Sequence, residues 1–259
     1  MIARAQELVS YRSLVRNLVT KDLKVRYKNS ALGFVWSLLN PLLMMVIYTF
    51  VFTKLLKIAR PNFEVFILAA LLPWNWCTRS LALSANSLLD NAAIINKVYF
   101  PRLVLPVATV ASEAVNFLLA LPALFFLMVW FGVPFTAWVA YLPVLMVIQA
   151  ILLAGLGLFL SALNVVFRDT GVILEVLLLA WFFLTPIFYD ISDLAPDMAS
   201  WMYRLNPMAA IVGEYRNILY FKLPPYLPGD LRTLATALLI LGLGYVFFTR
   251  LNRRLGEHL

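Results

Sequence analysis

Charge is scarce in this chain. Asp, Glu, Lys and Arg make up 13% of its 259 residues, against 63% hydrophobic ones. A soluble globular domain is roughly a quarter charged and about half apolar, so one enclosed core cannot hold this surplus. Most of it must face lipid, or pack against other segments within lipid. The single cysteine, Cys77, excludes an internal disulfide framework and a cysteine-cluster metal site, and reads as a small packed hydrophobe. The single histidine, His258, leaves no histidine site. GxxxxGK[ST], GxGxxG and HExxH are all missing, so no nucleotide-binding fingerprint is present, and if the chain's work is powered by nucleotide hydrolysis the motor is expected in another chain. A compelling internal repeat is also missing, which weakens any analogy with transporters built from inverted halves.

What the chain has is long apolar runs. A bilayer core of about 30 Å takes about 20 helical residues, and runs of that size lie near 32–54, 63–86, 105–131, 138–163, 171–190 and 232–250. The expected fold is an all-α polytopic membrane protein with six transmembrane helices. The second span contains Pro73, Asn75 and Arg79 and is expected to bend or stay partly wet. Arg79 is a candidate partner for a carboxylate or an anionic substrate. The start of the chain is unlike a cleaved signal peptide. Leu8, Tyr11, Val15, Val19, Leu23 and Tyr27 recur at helical spacing, with Arg12, Arg16, Asn17, Lys21, Lys24 and Lys28 elsewhere around the helix. Residues 1–30 are therefore expected to form a basic amphipathic helix at the membrane interface, ahead of a transmembrane domain at 31–259. The segment 191–231 is broken by Pro196, Pro207 and the prolines at 224–228, which favours short re-entrant or interfacial helices before the last span.

The net charge of +8 does not fall on one continuous face, so nucleic acid is not an expected partner; the cations read as topology markers, aided by anionic membrane lipids. Seven basic residues precede Ser30, and Lys97, Arg102, Arg168, Arg250, Arg253 and Arg254 fall in the other regions assigned to the same side. That makes thirteen, against seven on the opposite side. Both termini are accordingly expected to be cytoplasmic.

Three groups of residues are candidates for function. Between spans two and three, Asn91, Ile94, Ile95, Lys97, Tyr99 and Phe100 lie on a short segment ended by Pro101, suited to docking a cytoplasmic protein. After span four, Arg168 and Asp169 mark the cytoplasmic rim. Aromatic residues recur within and beside the spans: Trp36, Tyr48 and Phe52, then Trp74 and Trp76, then Phe182, Phe183, Phe188 and Tyr189. Their bland role is an interfacial belt or packing. Their sharper role is a conduit wall, since aromatic faces give broad contact to a polar polymer without trapping it. Glu113 reads as a bundle-facing hydrogen-bond partner, and no histidine–carboxylate chain points to proton pumping. Ala154, Gly157 and Ser161 form a low-profile helix face for close packing, and Gly155 adds local freedom.

Ordered along the chain are KDLKVRYKNSALGFVWSLLNPLLMMVIYTFVF, NKVYFPRLVLP, LNVVFRDTG, FFLTPIFYD and YRLNPMAAIVGEYRNILY. With the amphipathic start and six spans, this series resembles the ABC-2-type permease subunits of polysaccharide exporters, chiefly O-antigen, capsular or teichoic-acid permeases. The resemblance implies a homodimer joined to two cytoplasmic ATP-binding subunits, which hold ATP and Mg; this chain itself holds no cofactor and no metal. It implies transport of a lipid-linked polysaccharide across a bacterial cytoplasmic membrane, with no covalent chemistry here. Arg26, Tyr27 and Lys28 would stand at the entrance, where the cations could meet the carrier phosphate. Residues 91–100 would contact the ATPase, and Phe182, Phe183, Phe188 and Tyr189 would line the outer translocation region. A polyol-phosphate polymer exporter and a drug or lipid permease are the alternatives, with a non-transport scaffold further off.

Overall fold

The computed structural model describes residues 11–27, 35–57, 60–95, 101–191 and 196–252. Among these residues the protein is helical and has no strand. The helices are α1 (Arg12–Tyr27), α2 (Val35–Thr49), α3 (Phe63–Asp90), α4 (Ala92–Ile95), α5 (Val104–Trp130), α6 (Leu142–Val166), α7 (Thr170–Leu184), α8 (Pro196–Leu205), α9 (Pro207–Arg216) and α10 (Leu227–Asn252). Helix α2 runs on through a π-helical turn, Phe50–Leu55, a 3₁₀ turn Ala137–Tyr141 leads into α6, and α9 continues as a π-helical turn, Asn217–Phe221.

Among the described residues, five stretches are long and apolar enough to cross a membrane: Leu38–Leu55, Phe63–Asp90, Val104–Trp130, Ala137–Val166 and Leu227–Leu251. They match five of the six expected runs. The run at 171–190 is helical only to Leu184, and its 15 residues make about 22 Å of helix. Helices α8 and α9, of 10 residues each, are about 15 Å long and too short to span. These are the short helices expected before the last span.

Amphipathicity decides how α1 sits. Leu14, Val15, Leu18, Val19 and Leu23 are half-buried, whereas Arg12, Arg16, Asn17, Lys21 and Lys24 are exposed. The apolar stripe packs on α5, and Leu18 joins a small cluster with Leu103, Leu105, Val165 and Phe248. The first helix and the end of the last one thus share one end of the bundle, opposite α8 and α9.

Helix α3 is the central element. It runs unbroken through Pro73, and Val65 to Trp74 are all buried. Neighbouring helices take up its polar groups: Gln149 Nε2 donates to Pro73 O at 2.7 Å, Trp76 Nε1 to Val110 O at 3.2 Å, and Asn164 Nδ2 to Ala85 O at 3.0 Å. A proline costs little where packing and side-chain amides satisfy the surrounding backbone. Polar residues do collect beside it, because Asn75, Arg79, Glu113 and Asn116 line a small cavity of about 30 Å³ against Pro41, which has room for water. Buried Glu113 makes the bundle-facing bond expected of it, accepting from Asn116 Nδ2 at 3.1 Å.

Of the small residues of α6, Gly157 serves the close packing expected of it, while Gly155 does a different job. Gly157 meets α3, where an added Cβ would lie 2.9 Å from Ser84 Oγ. Gly155 is no local loosening: an added Cβ would lie 2.6 Å from the Leu241 backbone, and one on Gly244 would strike Gly155 O. Glycine on both sides lets α6 and α10 touch backbone to backbone, as small residues do between membrane helices. A Gly155→Leu substitution is therefore expected to push these helices apart, costing at least the ~1–3 kcal/mol of an overpacked core. Thermal unfolding of the detergent-solubilised chain checks this, with a clear drop in midpoint expected for Gly155→Leu and little change for Gly242→Ala, whose Cβ meets nothing within 4 Å.

Candidate functional site

The segment that follows α7 turns back, and this brings aromatic residues from three parts of the chain together. Phe188 is the hub. Its ring centroid lies 4.7 Å from Tyr48 edge-on, 4.8 Å from Phe52 in a stack, and 5.0 Å from Phe182 edge-on. Phe182 continues the series to Phe183 at 5.5 Å and to Trp74 at 5.7 Å, and Trp74 meets Trp181 at 5.7 Å. Each such pair contributes roughly 0.5–1.5 kcal/mol beyond its buried area, so the cluster is a stiff wall rather than a loose collection. Its depth is graded. Phe188 and Trp74 are buried, Tyr48, Phe52 and Phe182 are half-buried, and Phe183 is 62% exposed. Tyr189 closes the turn by donating its hydroxyl to Phe183 O at 3.0 Å.

A buried arginine fastens that turn. Arg216, at the end of α9, donates to Pro186 O and Ile187 O, to Tyr189 O at 3.1 Å and to Phe66 O of α3 at 3.2 Å. Its guanidinium also lies 3.7 Å from the centroid of the Phe66 ring, a cation–π contact. Five donors in a planar fork suit a cage of carbonyls that an ammonium could not fill. Burial pushes this guanidinium below its ordinary pKa, and Asp190 pulls it back up. Asp190 also meets Arg60, at 3.9 Å, and Arg60 covers Phe66 with a centroid distance of 4.2 Å.

Asn206 is the second fastening. As the N-cap of α9 it accepts from the backbone N–H groups of Met208 and Ala209, both at 3.1 Å, with Pro207 in the first turn. The same Oδ1 accepts from Trp181 Nε1 at 2.9 Å, while Nδ2 donates to Leu184 O and Thr185 Oγ1, both at 3.1 Å. One side chain thus starts α9 and ends α7. The Asn-Pro pair was a readable helix-start signal; Arg216, read only as a topology marker, carried no local signal of its cage.

The chain matches the family model for ABC-2 type transporters over residues 13–220. It belongs to the ABC-2 type transporter family. It is 39% identical over 221 residues to the O-antigen export system permease protein RfbA of Myxococcus xanthus, covering 85% of each chain. It is 38% identical over 202 residues to the RfbA permease of Klebsiella pneumoniae, covering 78% of each. A more distant relative is the polysialic acid transport protein KpsM of Escherichia coli, 24% identical over 206 residues, 76% of this chain and 78% of that one.

Within this ABC-2 chain, six of the aromatic residues singled out in the sequence share the cluster: Tyr48, Phe52, Trp74, Phe182, Phe183 and Phe188. Two do not. Trp76 is buried elsewhere in the bundle, stacked on Phe117 at 5.3 Å. Trp36 is exposed at the start of α2. Near the α1 end, Arg168 and Asp169 are exposed beside the exposed Phe167, and Asn91 accepts from Lys21 Nζ at 3.4 Å. Half-buried Ile95 packs into the small cluster that holds Leu18. Lys28, Lys97, Tyr99 and Phe100, and the side chains of Arg26, Tyr27 and Ile94, lie outside the described residues.

Proposed function

We propose that this chain is the membrane-spanning subunit of an ATP-driven exporter of lipid-linked polysaccharide of the O-antigen kind. The observation that carries the reading is its identity to O-antigen export permeases over more than three quarters of both chains. Two copies form the pathway, and two separate ATP-binding subunits dock at the α1 end of the bundle. They use α4 and the exposed Arg168–Asp169 corner as levers, and ATP and Mg reside in those subunits. The complex sits in the bacterial cytoplasmic membrane with both termini inside. Arg26 and Lys28 meet the phosphate of the lipid carrier at the entrance.

Two features of the fold support a paired arrangement. Helix α7 is apolar yet leaves Val172, Ile173, Val176, Leu177, Leu179 and Leu184 exposed, and α2 exposes Leu43, Met44, Val46 and Ile47. A second copy facing these helices would enclose the exposed edge of the aromatic cluster between two protomers. Aromatic faces bind the C–H faces of sugars broadly, and the half-buried Tyr48 supplies a hydroxyl for their polar groups. Such a wall guides a chain without a site deep enough to hold it. Work comes from the ATP-binding subunits, and this chain converts it into separation of the two copies.

The test is reconstitution of the chain with its encoded ATP-binding partner in lipid vesicles. ATP-dependent movement of a defined lipid-linked glycan is expected, with none in the absence of the partner. Movement without the ATP-binding subunit, or none with a pair that hydrolyses ATP, overturns the proposal.

A further inference from the structure

Beyond the aromatic cluster, the α8–α9 end holds a polar cavity of about 370 Å³ bounded by α8, α9 and the first turns of α10. That volume lies within the roughly 300–1,000 Å³ of ligand sites. Its floor is charged and buried: Glu214 is 6% exposed and Asp230 7%. Both carboxylates are held in place. Glu214 accepts from the Tyr226 backbone N–H at 2.8 Å and from Asn217 Nδ2 at 3.1 Å, and Asp230 accepts from the Tyr141 hydroxyl at 3.0 Å. An ionised carboxylate offers about four acceptor positions, so these bonds leave acceptor capacity toward the cavity.

The walls carry aromatic faces. Tyr203 lies over Gly213 and Tyr226 over Gly229, where an added Cβ would meet the rings at 3.1 Å and 2.6 Å. Glycine at both places lets a ring settle directly on a helix backbone and keeps the space beside it open. Two of the three cations lining this cavity are committed, since Arg216 sits in its carbonyl cage and Arg232 donates to Tyr203 O at 2.8 Å, while Arg204 is exposed at the rim. Three carboxylates, counting Asp190, line the same space. An anion entering it would meet fixed acceptors. A neutral, hydroxyl-rich guest would find acceptors for its O–H groups and flat rings for its C–H faces.

We infer that this cavity is a second saccharide-binding site, which takes an uncharged sugar segment of the exported glycan at the end of the bundle opposite α1. The inference rests on the polysaccharide-exporter reading. The site acts as a catch. Glycan that has passed the aromatic wall is held by oriented hydrogen bonds while the motors reset, which opposes back-sliding.

Site-specific photocrosslinking in cells that export glycan tests it. A p-benzoyl-phenylalanine replaces Ser200 or, separately, Arg204, both exposed at the cavity rim, and the purified chain is stained for periodate-reactive glycan. Adducts are expected at both positions and not at Val129, an exposed residue of α5. Tyr226→Ala removes an exposed ring and is expected to cut the adduct about fivefold, whereas Tyr226→Phe keeps it. Absence of glycan adducts at both rim positions while export continues overturns the site, as does an adduct containing only lipid phosphate, or one that Tyr226→Ala leaves undiminished. Loss of ATP-driven export from the unsubstituted complex in vesicles would instead strike the exporter reading itself.

Discussion

Arg216→Gln is expected to deprive the chain of its folded α8–α9 end and to abolish transport. The guanidinium serves four backbone carbonyls, those of Phe66, Pro186, Ile187 and Tyr189. A glutamine amide has two N–H donors, so at least two buried carbonyls lose their partner, at about 1–3 kcal/mol each. The cation–π contact with Phe66, worth about 2 kcal/mol or more for a desolvated pair, goes as well. Several kcal/mol is a large part of the ~5–15 kcal/mol by which folded domains exceed their unfolded chains. The turn at 186–189 would come free, taking Phe188 out of the aromatic cluster. Size-exclusion profiles and unfolding midpoints of the detergent-solubilised chain read the effect, and at least a tenfold loss of monodisperse protein is expected. Arg216→Lys should fall between, because an ammonium has three donors and no planar face. A wild-type midpoint for Arg216→Gln would mean that the cage does not hold the turn.

Hydropathy made the spans legible because lipid imposes one requirement on every spanning segment, an uninterrupted apolar run of sufficient length. Five boundaries came within a few residues of the observed helices, and the amphipathic stripe of α1 was readable for the same reason. The run at 171–190 was overestimated. Its helix stops at Leu184, ahead of Pro186, and the carbonyls of the turn that follows are taken up by Arg216, 30 residues on from Pro186 in sequence. Gly155 shows the same limit. Its neighbours in sequence speak of flexibility, while its neighbour in space, Leu241 of α10, demands the absence of a side chain. Grouping of the aromatic residues was only partly visible. Trp74 and Trp76 are two positions apart, and so on different faces of α3; one joins Phe182, the other Phe117.

The graded exposure of the aromatic cluster separates two kinds of substitution. Phe188→Ala removes a buried hub and should cost about 3–5 kcal/mol, lowering the unfolding midpoint and export together. Phe183→Ala removes a ring that is 62% exposed in the protomer, so the midpoint of the isolated chain should hardly move. If the exposed edge guides glycan, export by Phe183→Ala in vesicles should fall about tenfold while the assembled complex and its ATP hydrolysis persist. Tyr48→Phe refines the point, since it keeps the ring that packs on Phe188 and deletes only the hydroxyl. Reduced export with unchanged stability would assign that hydroxyl to contact with sugar. Should Phe183→Ala instead dissociate the proposed pair of copies, the exposed edge would be an interface between them, and guidance of the glycan would have to lie with other residues of α2 and α7.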